Sequence, residues 1–335
     1  MVKYLLRTVL SWIVMIFVAT NVTYFLANWF LHPVSNYLGR RDGRSLTEQI
    51  ENAKKVLGPL NLNPDVPIFE RWWIWISKIF TKWDWGQSPL GTSVNSEVAY
   101  RMMVSAQLVL LGTFLAAILG VIIGVRTASR QYKVEDRVWQ GFSIVAMNTH
   151  VVVVSFVVVS IAIALNNFTQ AHWGFRLFFV TGSSSIGVTG FFPTLIDFLQ
   201  HLILPTISLI IISYASYHFT QRSLLLDNIN ADYVRTARAK GLTRNVAIRR
   251  HALRTSIIPV ATSVAFAIPG VFTGAIMTET IFGWKGMGQY FIQTILKNDI
   301  HGVVAVAAFG ALCTAIGAIL ADIFVVLLDP RVRVS

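Results

Sequence analysis

Asn230-Ala231-Asp232-Tyr233-Val234-Arg235-Thr236-Ala237-Arg238-Ala239-Lys240-Gly241-Leu242 lies between two strongly apolar segments and is itself short, basic and rich in small residues. Asp232 is placed to accept from the free N–H groups of a first helical turn, and Gly241 to take the left-handed conformation that closes one. The spacing therefore predicts a helix over Tyr233 to Lys240, about 12 Å long at 1.5 Å per residue. Such an element is too short and too basic to cross a bilayer, so it lies outside the hydrocarbon. Its alanines and glycine leave the backbone open to close approach by another surface. Two readings stand at this point: an element that docks on a partner, and a solvated basic loop that fixes topology.

The chain on either side is far more apolar than an ordinary soluble domain, with 54% hydrophobic and 13% charged residues among 335 and a mean hydropathy of +0.60. Six stretches reach the length a bilayer demands: Val9 to Leu31, Val104 to Val125, Phe142 to Leu165, Leu199 to Tyr217, Ile257 to Phe282 and Val303 to Leu328. An even count puts both termini on one side. Lys3 and Arg7, the basic residues from Arg126 to Arg137, those from Arg222 to Arg254, and Arg331 and Arg333 all fall on one face, whereas the two short opposite loops hold only Arg176, Lys285 and Lys297. The termini and the basic loop are expected in the cytoplasm. Residues 32–101 carry nine basic residues on the opposite face, but long loops translocate largely regardless of charge. The first span is read as a retained anchor, because Trp29-Phe30-Leu31-His32 offers no small-residue cleavage site.

The expected organisation is a tail and first span over 1–31, an extracytoplasmic insert over 32–103, and a five-span core over 104–335 that contains the cytoplasmic loop 218–256. In the insert, Ser45 to Leu57 has a helical pattern, Gly58-Pro59 and Asn63-Pro64 break the chain, and Trp72, Trp73, Trp75, Trp83 and Trp85 cluster before span two. Clustered tryptophans are expected at headgroup depth. The net charge of +12 does not point to nucleic acid, since the Lys and Arg residues gather beside apolar spans and no zinc spacing or aromatic-basic platform accompanies them. Cys313 is the one cysteine, so an intrachain disulfide is excluded.

No G-x-x-x-x-G-K-[ST] occurs, so the chain has no P-loop of its own. His, Glu and Asp are too scattered for H-E-x-x-H, and a Ser-His-Asp set could be assembled only by ignoring the topology. The chain is expected to be no enzyme and to hold no metal. Five polar or helix-breaking residues inside the spans are candidates for the translocation path or a gate. Asn148 and His150 flank Thr149 within span three, Glu279 lies late in span five, and Asp322 stands about 10 Å from the cytoplasmic end of span six by helical rise. Intramembrane polar groups either line a path or hold helices together; a buried structural hydrogen bond is the reading favoured for Asp322, and an outer gate or a packing role for Glu279. Pro269 with Gly270 removes a helical hydrogen bond in mid-span and offers a bend.

Tyr233 to Leu242, followed by His251-Ala252-Leu253-Arg254, resembles the cytoplasmic coupling loop of permease subunits from ABC importers of the dipeptide/oligopeptide/nickel type. The resemblance continues in His201-Leu202-Ile203-Leu204-Pro205, Glu279-Thr280-Ile281-Phe282-Gly283-Trp284, Asp322 and Asp329-Pro330-Arg331, and it covers most of the chain from Trp83 onward. Three positions depart from the family pattern: Trp83 and His150 stand where relatives often carry glycine and proline, and Lys285 where proline is usual. The resemblance implies an all-α integral membrane protein with six transmembrane helices and a coupling-helix loop between spans four and five. It implies that Asp232, Tyr233, Arg235, Thr236, Ala237, Arg238, Ala239, Lys240 and Gly241 couple to a separate ATPase subunit. The implied partners are a second homologous permease, P-loop ATPases that bind ATP and Mg, an extracytoplasmic solute-binding protein and the plasma membrane of a prokaryote. Peptides are the implied substrate class, with nickel complexes or oligosaccharides as alternatives. An ion- or proton-coupled secondary carrier is the rival from another class; carriers of that kind usually show inverted repeats and broken helices with midplane ion sites, and no repeat is visible here.

Overall fold

The computed structural model describes residues 2–39, 43–185, 187–267, 269–270 and 276–328. Part of the fifth expected span, together with Asp329-Pro330-Arg331 and Arg333, lies outside the described residues. In chain order the helices are α1 (Val2–Phe30), α2 (Leu46–Leu57), α3 (Ile68–Lys82), α4 (Val94–Ser129), α5 (Val134–Asn148), α6 (Val151–Trp173), α7 (Phe191–Ile229), α8 (Asp232–Ala239), α9 (Arg244–Ala247), α10 (Leu253–Ser256), α11 (Ile258–Ala265), α12 (Ile276–Ile281), α13 (Met287–Leu296) and α14 (Ile300–Leu328). A π-helical turn, Ile248–Ala252, joins α9 to α10. Among the described residues the only extended pairing is an isolated bridge between Gln87 and Ser93. The chain divides into two compact units, one of described residues 2–105 and 286–315, the other of 106–270, 276–285 and 316–328. The domain edge expected at 103/104 falls inside α4, because the helical register runs without a break from Val94 to Ser129.

Five described helices are long and apolar enough to cross a membrane, lying within α1, α4, α6, α7 and α14. The third expected span is not one helix. α5 ends at Asn148, Thr149 is extended, and α6 begins at Val151 with His150 as its N-cap, the imidazole accepting from the Val152 N–H. Polar side chains that bond to the preceding turn compete with helix continuation: Asn148 Nδ2 donates to Ile144 O at 2.8 Å and Thr149 Oγ1 to Val145 O at 2.7 Å. The long apolar segment is therefore α6, of 23 residues, with the exposed His150 as its N-cap and the exposed Asn148 as the last residue of α5.

In the first unit, α1 and α3 pack through Tyr24, Ala27, Trp75, Ile76 and Ile79, with Leu57, Leu62, Ile300 and Val304 completing the cluster. α2 starts as the pattern predicts: Ser45 and Glu48 form a reciprocal capping box. α3 ends on Trp83, which holds the left-handed conformation (φ 54°) that glycine would adopt without strain.

In the second unit, α4 and α7 pack at backbone distance. A Cβ placed on Gly120 would stand 2.5 Å from Tyr217 Cβ and 2.8 Å from Tyr214 O, and one on Gly124 would stand 2.9 Å from Gln221 Cβ. Small residues at such positions let membrane helices approach until their backbones touch. α11 stops at Ala265, the residue whose carbonyl Pro269 would serve in a continuous helix and cannot. Gly317 of α14 accepts this irregular stretch, since its Cβ would come within 2.9 Å of Pro269 Cδ. At 39 residues, α7 is about 58 Å long by helical rise, well beyond a hydrocarbon core of about 30 Å.

Candidate functional site: the closed helix and the network beneath it

α8 begins one residue earlier than expected, and Asp232 does not cap it. Ala231 is the N-cap, and Asp232 occupies the first turn with its side chain exposed and 3.9 Å from Arg235 Nη1. A carboxylate there still favours the helix electrostatically. The C-terminus closes as the sequence predicts. Gly241 takes φ +90°, its N–H donates to Arg238 O at 3.0 Å, and the Leu242 N–H donates to Ala237 O at 3.3 Å. These are the paired bonds of a Schellman closure. Space around Gly241 is open, so the glycine is required by its backbone conformation and not by a close neighbour.

One face of α8 is buried. Val234 and Ala237 pack with Ala128 of α4, Leu225 of α7 and Ala247, Ile248 and Ala252 of the segment that follows, with Val125, Leu226, Ile229 and Leu242 at the margin. Ala237 was expected to face an ATPase; it is 7% exposed and turned inward, because three residues from Val234 put it on the same helical face. Tyr233, Arg235, Thr236, Arg238, Ala239, Lys240 and Gly241 remain on the outer surface with Asp232. Tyr233 is steadied by a 2.6 Å hydrogen bond from its hydroxyl to Asn228 Oδ1, and Arg244 Nη1 donates to Ser129 O at 2.9 Å, tying the following turn to the end of α4.

Beneath this patch lies a buried polar network that the sequence reading missed. Arg222 of α7 donates from Nε and Nη2 to the two oxygens of Asp136 at 2.8 and 2.9 Å, and Asp136 is 1% exposed. The Tyr132 N–H and Gln140 Nε2 donate to the same carboxylate at 2.9 and 2.8 Å. Burial alone would push the Asp136 carboxyl up; the hydrogen bonds from Arg222, Tyr132 and Gln140 and the Arg222 charge outweigh it and hold the group below the usual carboxylate range. One turn away, His218 sits between Thr127 of α4 (Nε2 to Oγ1, 3.0 Å) and Ser143 of α5 (Nδ1 to Oγ, 2.7 Å). The Thr127 hydroxyl also reaches Ile123 O at 2.9 Å, and the Ser143 hydroxyl reaches Tyr214 Oη at 3.4 Å, so both neighbours of the imidazole are tied to further groups. Gln221 Nε2 donates to Ser256 Oγ of α10 at 2.9 Å. Tyr214, His218, Gln221, Arg222 and Leu225 recur at three- and four-residue steps, and that period along an apolar helix was the signal for a single buried face.

The five path candidates do not form one cluster in the described contacts. Asn148 bonds within its own helix and His150 caps α6. Pro269 meets Gly317. Glu279 is fully buried on α12, and its carbonyl accepts from the Trp284 N–H at 2.7 Å across a turn in which Gly283 has φ +62° and Trp284 is also buried. Lys285 follows, exposed. Asp322 is exposed on α14, which overturns the expectation of a buried hydrogen bond within the chain: its position on the helix turns it away from the described neighbours.

The family described as binding-protein-dependent transport system inner membrane component matches residues 98–334. An oligopeptide transport system permease protein, OppB, of Mycobacterium tuberculosis is 36% identical over 338 residues, covering 100% of both chains. The corresponding AppB of Bacillus subtilis is 30% identical over 254 residues, with 72% of this chain and 73% of the relative covered. The dipeptide transport system permease protein DppB of Lactococcus lactis is 27% identical over 337 residues, covering 99% and 100%. With the match spanning α4 to the C-terminal end of the chain and the closed helix α8 at its centre, this protein belongs to the family of binding-protein-dependent transport system inner membrane components.

Proposed function

We propose that this chain is one permease subunit of an ABC importer for peptides, pairing with a second, similar permease so that a path forms between them, and docking one ATPase subunit on the outer face of α8. Relatives of full length carry the names of oligopeptide and dipeptide permeases, which supports the peptide class over nickel complexes and oligosaccharides. The observation that carries the coupling reading is the two-sidedness of α8: Val234 and Ala237 are fixed into the ends of α4 and α7, while Tyr233, Thr236, Ala239 and Lys240 are left open. ATP and Mg belong to the partner subunits. Closure of an ATPase pair displaces α8; the Arg222–Asp136, His218 and Gln221–Ser256 contacts tie that displacement to α4, α5, α7 and α10, and the path changes from inward- to outward-open. Asn148, His150, Pro269, Glu279 and Asp322 are proposed to act along this path or its gate, with both termini and α8 in the cytoplasm and residues 32–101 outside, toward the solute-binding protein.

The test is reconstitution in liposomes with the neighbouring permease, ATPases and binding protein. ATP-dependent uptake of short peptides is expected, dependent on the binding protein. Uptake driven by an ion gradient in the absence of ATP would overturn the reading in favour of a carrier.

A further inference from the structure

The tryptophans before α4 fall into two groups with different neighbours. Trp75 is 1% exposed and stacks on Tyr24 of α1 with ring centroids 4.7 Å apart, its indole N–H donating to Trp85 O at 3.0 Å. Trp72 Nε1 donates to Asn21 Oδ1 at 2.6 Å, and Arg71 Nη1 to Asn28 Oδ1 at 2.9 Å. These contacts lay α3 against residues 21–28 of α1, within the Arg7–Phe30 stretch that is long and apolar enough to cross a membrane. Phe69, Trp73 and Phe80 point away from that core and are 70%, 65% and 74% exposed.

At about 100° per residue, Phe69, Trp73 and Phe80 fall within about 40° of one another on α3. Glu70 and Thr81, both exposed, and the half-buried Ser77 form a separate strip centred about 80° further round. α3 thus has three faces: one against α1, one aromatic and open, one polar and open. A helix in bulk water gains nothing from the second. The aromatic strip is also continuous with α1, since Phe69 lies 5.6 Å from Phe25 and the neighbouring Val22, Leu26, Trp29 and Phe30 are themselves exposed. Continuity with a span's own apolar surface points to the same occupant for both.

We propose that α3 is an interfacial helix, with Phe69, Trp73 and Phe80 seated in the headgroup–acyl boundary of the bilayer and Glu70, Ser77 and Thr81 facing water. The insert is therefore anchored to lipid on this face, and a soluble receptor must dock elsewhere on it. The arrangement holds whichever side of the membrane residues 32–101 occupy.

Spin labels at Phe69→Cys, Phe80→Cys and Ser77→Cys, in a chain whose Cys313 is replaced by alanine and which is assembled with its partner subunits in liposomes, measure this directly. Labels at 69 and 80 are expected to collide more with oxygen than with a water-soluble nickel chelate, and the label at 77 the reverse. Chelate-dominated collisions at both 69 and 80 would overturn the proposal. So would collision rates there that fall only when the solute-binding protein is added, which would make the strip a protein-docking surface. Quenching of the unlabelled protein by lipids brominated near the headgroup, diminished in Trp73→Phe, gives a second readout free of cysteine substitutions; undiminished quenching would also count against it.

Discussion

Arg222 grips Asp136 through two parallel hydrogen bonds at the lower end of α7, and both oxygens of the carboxylate are further held by Tyr132 and Gln140. The pair joins the first turn of α5 to α7 just before the turns on which α8 rests.

Removing one partner of a buried pair leaves the other charge uncompensated, at a cost of about 3–5 kcal/mol. Asp136→Asn is therefore expected to lower the melting temperature of the purified complex sharply at neutral pH. The carboxyl is depressed in the folded chain, so its contribution is complete above the ordinary value of about 3.9 and is lost as pH falls through the lower folded value. The melting curves of wild type and Asp136→Asn should thus converge in acid and stay equally far apart between neutral and mildly basic pH. A gap that widened in acid would refute the pairing.

The open space around Gly241 separates conformation from bulk. Gly241→Asn, which tolerates positive φ, is expected to keep ATPase co-purification and coupling. Gly241→Val, strained by more than about 1 kcal/mol, and Ala239→Trp, which adds bulk on the open face, should leave membrane insertion intact and lose one or both. Substrate-stimulated ATP hydrolysis in liposomes reads the difference, and wild-type coupling in Val and Trp variants alike would restore the view of a loop that only sets topology.

Gly120→Ala would drive a Cβ into Tyr217 and the Tyr214 carbonyl. Overpacking of that kind costs about 1–3 kcal/mol, and the contacts of Thr127 and Ser143 with His218 should loosen with it. Gly141→Ala on α5 meets nothing within 4 Å and is expected to be neutral or to stabilise by up to about 1 kcal/mol through helix propensity. Thermal unfolding of the two variants side by side is the measurement.

Orientation is checked by cysteines at two exposed positions, Arg238 and Lys55. An impermeant thiol reagent added to intact cells is expected to modify Lys55→Cys and to spare Arg238→Cys until the membrane is opened. The reverse pattern would invert the topology.

The sequence by itself determined what local chemistry and composition control. Long apolar runs specified membrane helices, Ser45 and Glu48 specified the start of α2, and Gly241 specified the closure of α8, because a left-handed residue after a short helix has a backbone requirement that no distant contact changes. Where several local tendencies competed, neighbours entered the outcome. Asp232 was a good cap by type, yet the helix took Ala231 as its cap and left the carboxylate in its first turn. Thr149 and His150 looked like polar groups in mid-span and instead ended one helix and began another.

Only the tertiary structure decided which side of each element mattered. Ala237 and Ala239 are identical in type and two residues apart, but one is buried against Leu225 and the other is open, since that depends on where α4 and α7 end. Trp72 and Trp73 are adjacent, and one bonds to Asn21 while the other is left exposed. Asp136 and Arg222 are 86 residues apart, and a carboxylate finds a guanidinium across that separation only after the helices carrying them have packed. Burial and pairing are properties of the packed set of helices, and the linear order of residues carries them only as a period.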